Sequence, residues 1–197
     1  MLAMLTPIIK GHITISDAIT GEIIVDKDNA IHYENISEAM ANALTNRQAG
    51  YIQKMVFGNG GTAVDTSGVV TYLPTRTSGL DSTLYNQTYD KIVDDTDPLN
   101  LDPTRNYLQV RHTSGALYSD IFVSCLLDYT EPSNQSAFDN SSTLQGQYVF
   151  DELGLLSSDE KLLTHVIFHP VQKALNRLIQ IDYTLRIQSL TNLSNNL

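Results

Sequence analysis

His165 and His169 stand four residues apart, the spacing with which a helix brings two imidazoles onto one zinc ion. Their surroundings decide against that geometry. Leu162, Leu163, Val166, Ile167 and Phe168 form an apolar, β-branched and aromatic run that reads as a strand. Four residues of strand span about 13 Å, too far for two nitrogens that must each lie about 2 Å from the metal. Both are expected to be structural histidines. Asp26, Asp28 and Asn29 open like a calcium loop, but Ile31 stands where the sixth-position glycine belongs and no glutamate occupies the twelfth. Asp94, Asp95 and Asp97 read as a solvated acidic loop rather than a cation site. Gly58, Asn59, Gly60 and Gly61 suggest a phosphate cradle, yet no lysine-containing P-loop sequence follows and no helical pattern begins there. They read instead as a turn in which at least one glycine takes positive φ. Ser158 and Lys161 match an acyl-enzyme string without its companion motifs, and the charges of 159–161 suit a hairpin tip. Cys125 lies on the inward face of an alternating run and reads as a small buried hydrophobe. No catalytic residue, resident metal or cofactor is expected, and no enzyme.

Elements of two periods must position these residues. Residues 11–26 read as a hairpin turning at Thr20 and Gly21. Asn35 and Glu38 have the spacing of a capping box. Behind them Ile36, Ala39, Met40, Ala43 and Leu44 make one apolar helical stripe, with Ile36, Met40 and Leu44 facing the core and Gly50 as the stop. From there the period becomes two. Strands are expected at 51–57, 69–73, 87–93, 106–113 and 117–129, and most clearly at 179–187, where Ile179, Ile181, Tyr183, Leu185 and Ile187 alternate with polar residues. Residues 94–102 and 131–147 read as long surface loops. The tail 191–197 has no periodicity and is expected to order only against a neighbour. The sum is one mainly β domain, an antiparallel β-sandwich of about eight to ten strands with one amphipathic helix and long surface loops.

The 197 residues carry 12 basic and 22 acidic side chains, a net charge of −10 and a sequence pI near 4.7. Phosphate neutralisation needs a basic surface, so nucleic acid is not an expected partner. A single cysteine excludes an internal disulfide framework and a thiolate metal cage, and suits a reducing compartment. The apolar start, residues 1–9, lacks a basic flank and a cleavage site and is too short to span a bilayer, so no membrane role is expected. Charged residues are only 17% of the chain, against about 25% in typical soluble proteins. Such a surface suits a protein covered by neighbours.

Three short motifs occur in a fixed order: Phe57, Gly58, Asn59, Gly60 and Gly61; then Leu84, Tyr85, Asn86, Gln87, Thr88 and Tyr89; then Phe150, Asp151, Glu152, Leu153, Gly154 and Leu155. They resemble landmarks of tailed-bacteriophage structural proteins, in which a Gly-rich turn precedes a Leu-Asn segment and a later strand delivers a Glu-x-Gly-Leu element. The closing run through His169 and Pro170 looks similar to such proteins as well. The resemblance implies a structural subunit of a virion, made in the host cytoplasm, in the tail, baseplate or neck. Its partners would be copies of itself and other virion proteins. Gly58, Asn59, Gly60, Gly61, Leu84, Tyr85, Asn86, Glu152, Gly154, His169 and Pro170 would be its structural or interface residues. Two departures matter. The 157–161 tip lacks the glycine of fibre attachment domains, and no repetitive shaft follows the last strand, which points to a ring, collar or adaptor subunit. The alternatives are a capsid decoration protein and, from another class, a carbohydrate- or cation-binding module using Tyr-bearing loops and residues 94–102.

Overall fold

The computed structural model describes residues 7–79, 83–132 and 148–189. In chain order the elements are β1 (Pro7–Asp17), β2 (Ile23–Ile31), α1 (Tyr33–Leu44), β3 (Ile52–Gly58), β4 (Thr62–Val64), β5 (Val70–Tyr72), β6 (Gln87–Ile92), β7 (Tyr107–Arg111), β8 (Tyr118–Leu127), β9 (Tyr148–Ser157), β10 (Leu162–Lys173) and β11 (Ile179–Ser189). Nine strands form one antiparallel sheet in the order β6-β3-β9-β10-β2-β1-β11-β8-β7, while β4 and β5 form a separate hairpin. The mainly β expectation with one helix holds. The layers arise from a single sheet that curls into a half-barrel. β2 is the corner: it pairs with β1 from Ile23 to Asn29, but meets β10 only at Ala30 and Ile31. A strand that changes partners in this way lets one sheet fold over its own core. The expected tail at 191–197, the apolar start before Pro7 and most of the 131–147 loop lie outside the described residues.

The core is where the period-two reading is most direct. Ile179, Ile181, Tyr183 and Leu185 on β11 face Val123, Cys125 and Leu127 on β8, all at most 1% exposed. Burial pushes the Cys125 thiol up to about 12, so it stays protonated, as expected of a buried hydrophobe. Phe57, Tyr148, Phe150 and Phe168 come from the other wing, with Phe150 edge-on to both Phe57 and Phe168. A second, smaller cluster of Val56, Leu84, Leu156 and Leu162 lies apart from this core.

The helix departs from its sequence reading at both ends. Its N-cap is His32, whose side chain accepts from the Asn35 backbone N–H at 3.3 Å. Asn35 is therefore inside the first turn, and its side-chain amide donates to the Leu162 carbonyl at 2.8 Å. Glu38 reaches Lys161 at 2.6 Å instead of closing a capping box. At the other end Thr45 is the C-cap and Asn46 takes φ 53°, so the helix stops before Gly50. Gly50 has a different task. Its φ is +81° and an added Cβ would lie 2.7 Å from the Ala39 Cα, so only glycine lets the chain pass the helix this closely. Ala39 is buried and Ile36 and Met40 are half-buried, but Leu44 is 85% exposed. The apolar stripe is longer than the contact it makes. No helix among the described residues is long and apolar enough to cross a membrane.

The ends of the sheet are closed by side chains. Near the β6 edge, Lys91 Nζ donates to the Leu126 carbonyl at 2.6 Å and pairs with Glu131. On β7, the Leu108 N–H donates to Asp95 at 3.3 Å, which occupies a main-chain donor of an edge strand. Lys173 is buried and gives its ammonium hydrogens to the carbonyls of Asp128, Glu131 and Ala174, each at 2.9 Å. Burial pulls its amine down to about 8, with the charges of Glu131 and Asp128 opposing.

Candidate functional site

A β-bulge makes the site. Along β9 the core-facing residues run Tyr148, Phe150, then Leu153 and Leu155. The parity changes between 150 and 153, so Asp151 and Glu152 both turn away from the core. The partner strand shows the same irregularity: Ile167 pairs with Glu152, but the next paired residue is Val171, opposite Phe150. His169 and Pro170 fall inside that interruption, where a residue without an N–H costs no ladder bond.

The two carboxylates fasten two separate loops. Glu152 Oε1 accepts from the backbone N–H groups of Gly60 (3.1 Å) and Asn86 (2.8 Å). Its Oε2 accepts from Tyr85 N–H (2.8 Å) and from His165 Nε2 (3.1 Å). Asp151 accepts from the N–H groups of Gly61 and Thr62 at 2.9 Å each, and from the Thr62 hydroxyl. His165 Nδ1 accepts from the Arg76 N–H at 3.0 Å, which fixes the tautomer that donates from Nε2. Asn86 Nδ2 donates to Asn59 Oδ1 at 2.6 Å. Glu152 and His165 are completely buried. Burial pushes the Glu152 carboxyl up, but the His165 hydrogen bond and the Asn86 and Tyr85 N–H groups outweigh it, and the net shift is downward. Asp151 moves the other way, raised by burial against its three hydrogen bonds.

Glu152 and His165 look like an acid–base pair, but the carboxylate already holds four donors. That is its ordinary acceptor capacity. The arrangement holds backbone; it leaves no lone pair to meet a substrate.

The geometry brings together nine of the residues singled out from sequence: Gly58, Asn59, Gly60, Gly61, Leu84, Tyr85, Asn86, Glu152 and Gly154. His169 and Pro170 stand outside this knot of hydrogen bonds around Glu152 and Asp151, with His169 exposed and 3.4 Å from the Tyr72 hydroxyl. The expected positive φ at Gly58, Gly60 or Gly61 does not occur; the left-handed glycines described are Gly21, Gly50, Gly68, Gly79 and Gly115. Close approach explains the motif instead. A Cβ on Gly58 would lie 2.5 Å from the Asn86 carbonyl and from Glu152, and one on Gly60 would lie 2.8 Å from Asn86 N. Gly154 is a close-approach position too: its Cβ would meet the Thr164 carbonyl at 2.6 Å.

Asp151, Thr62, Arg76 and Lys173 escape sequence reasoning. Strict alternation places Asp151 and Glu152 on opposite faces, and only the bulge puts them together. For Lys173 a signal exists, because alternation from Val171 turns it inward.

The other acidic candidates serve local structure. Asp26 and Asp28 lie on β2, not in a loop, and hold His12 of β1 between them at 2.6 and 3.0 Å. Asp94 accepts from Thr96, and Asp97 from Leu99 N–H and Gln53. Among the described residues no group of three His, Cys, Asp or Glu side chains is placed to hold an ion.

His12 titrates with a readable sign. Its hydrogen bond to Asp28 lifts the imidazole above 6.5, partial burial opposes, and Asp26 adds to the lift. A raised folded value means that the stabilisation is complete below pH 6.5 and is lost as pH rises through the elevated midpoint. With both partners about half exposed or more, screening limits it to about 0.5 kcal/mol. A ring titration followed by NMR should give a midpoint above 6.5, and a midpoint at or below that value would contradict the geometry.

Two concave surfaces flank this frame. An apolar groove of about 310 Å³ runs between α1 and the ends of β1, β7, β8 and β11, lined by Ile9, Ile36, Met40, Leu108, Ile121 and Ile187. A polar cleft of about 490 Å³ lies between β6, the end of β8 and residues 99–106. Its charges are already paired: Lys91 with Glu131, and Arg105 with Asp102 and Asp128. Comparison with family models, with curated proteins and with solved structures finds no match to this chain.

Proposed function

We propose that this chain is a structural subunit of a bacteriophage particle, in the tail, baseplate or neck, or alternatively a capsid decoration protein. The apolar groove is the observation that carries the assembly part of this reading. Val110 and Tyr51 at its lining are 73% and 46% exposed, and Leu44 stands 85% exposed at the end of the helix that forms one wall. Covering the apolar walls of this groove with a partner would remove them from water, which favours a protein–protein contact. The virion part rests on the resemblance of the three ordered motifs, which meet in one knot and so behave as a fold-defining set. The partners are further copies of the chain and other virion proteins, and the mechanism is binding geometry. A cation- or carbohydrate-binding module is the second reading, favoured by the polar cleft beside residues 99–106. A titration of the isolated protein with calcium and a glycan panel separates the two, since saturable binding at the cleft belongs only to the second.

Met40 tests the groove. It is half-buried, so Met40→Asp should cost only about 1 kcal/mol of folding stability, because the carboxylate keeps access to water. The same change should sharply lower the copy number of the protein in purified particles. Wild-type incorporation of Met40→Asp would remove the groove as a contact.

A further inference from the structure

The β4–β5 hairpin stands outside the nine-stranded sheet, yet its base is firmly fastened. Thr62 N–H donates to Asp151 at 2.9 Å, and Leu73 N–H donates to the Gly61 carbonyl at 2.9 Å. The Tyr72 hydroxyl lies 3.4 Å from His169 Nδ1, and Lys27 Nζ sits 5.7 Å from the centre of the Tyr72 ring. The tip is built as tightly. Asp65 accepts from Ser67 N–H at 2.8 Å and from Val69 N–H at 3.0 Å, and Gly68 takes φ +84° in the same turn. Between base and tip the hairpin is apolar and uncovered. Val64 pairs with Val70, so Val69 points to the opposite face from Val64. Val64 is 61% exposed and Val69 57%. Apolar side chains on both faces suit insertion between two walls rather than contact with one flat surface.

The apolar groove has two such walls, α1 with Ile36 and Met40, and the sheet with Leu108, Ile121 and Ile187. It opens on the core face of the sheet. The hairpin is fixed on the other face, because Gly61 at its base approaches Ile167 and Glu152, and Ile167 stands between the core residues Val166 and Phe168. One copy therefore cannot fill its own groove. We propose that the hairpin of one copy inserts into the groove of the next, a head-to-tail contact that builds a ring or a filament. The inference rests on the reading of the groove as an assembly contact and names its occupant. Charge favours a second copy here. A net charge of −10 sets copies against each other. Yet among the described residues no charged side chain lines the groove, and Asp65 is the only charge from 62 to 73. With the tip fixed by Asp65 and the base by Asp151, docking has little new backbone to order. The knot then has a use beyond stability, because it aims the hairpin.

Sedimentation of the purified full chain across a concentration series, at low and high salt, tests this pairing. Wild type should form species larger than a dimer, and more of them at high salt, where the repulsion is screened. Val64→Lys combined with Val69→Lys should leave only monomer, and so should Val110→Lys at the groove. All three positions are exposed, so the fold is kept, which thermal unfolding checks. Lysine also lowers the net negative charge, so lost association cannot come from added repulsion. An equal mixture of the hairpin and groove variants should restore one contact and stop at a heterodimer, an outcome that only a head-to-tail contact gives. A wild type that stays monomeric, or that stops at a symmetric dimer, would overturn the pairing. So would a mixture that stays monomeric while wild type assembles. If Val110→Lys dissociates the assembly and the hairpin variant does not, the groove is a contact with another occupant. Incorporation of Met40→Asp into particles decides the groove reading separately.

Discussion

Glu152→Gln should destabilise the protein by about 3 kcal/mol, or about 10 °C in Tm for a chain of this size. The change is isosteric, so packing is not its cause. A carboxylate offers four acceptor positions and all four are used, by Gly60, Asn86, Tyr85 and His165. A carboxamide offers two, and its NH₂ must face donors that are buried and cannot turn to water. The pH dependence carries a second signature. The Glu152 carboxyl is held below its usual 4.5, so its stabilisation is present above that value and is lost as pH falls through the lower folded midpoint. The stability gap between wild type and Glu152→Gln should narrow in acid. Equal stability at pH 7 in denaturant unfolding would show that the knot is incidental to the fold.

Gly58→Ala and Gly154→Ala should each cost about 3 kcal/mol by overpacking. At Gly154 the added methyl would lie 2.6 Å from both the Leu162 Cδ1 and the Thr164 carbonyl. The leucine can rotate, but the carbonyl belongs to β10, the strand that pairs with β9 at this point. At Gly58 the obstacle is again backbone, the Asn86 carbonyl at 2.5 Å. Gly68 is the control: its φ is +84° and nothing lies within 4 Å of a new Cβ. Gly68→Ala should cost about 1 kcal/mol, through backbone conformation alone. If all three variants unfold at the same denaturant concentration, close approach is not what the two motif glycines provide.

The strands were legible because most follow a period of two. Ile179 to Ile187 read cleanly, since β11 is regular along its pairing with β8. The helix was legible as an element but not in its contacts. Leu44 continues the sequence stripe, yet the surface that α1 packs on ends before it. The caps failed for a related reason: His32 at the N-cap is set by its place between β2 and α1, and Asn35 is claimed by the Leu162 carbonyl across the fold. The Leu162 partner lies 127 residues away in sequence, and the local cap is a histidine, outside the usual capping residue types. Residues of the three ordered motifs meet around Glu152. Their mechanism was hidden, because a bulge changes which side chains share a face and no composition signal announces one. The glycines show the same limit, since positive φ and close approach select the same residue.

Residue-level imaging of phage particles purified from the organism in which this chain is made tests the proposed virion role most directly. The proposed role requires symmetric copies of the protein in the tail, baseplate, neck or capsid surface, with a neighbouring subunit seated on the groove formed by Ile36, Met40, Leu108 and Ile121. Particles that are complete without the chain, or that carry it with this groove open to solvent, would contradict it.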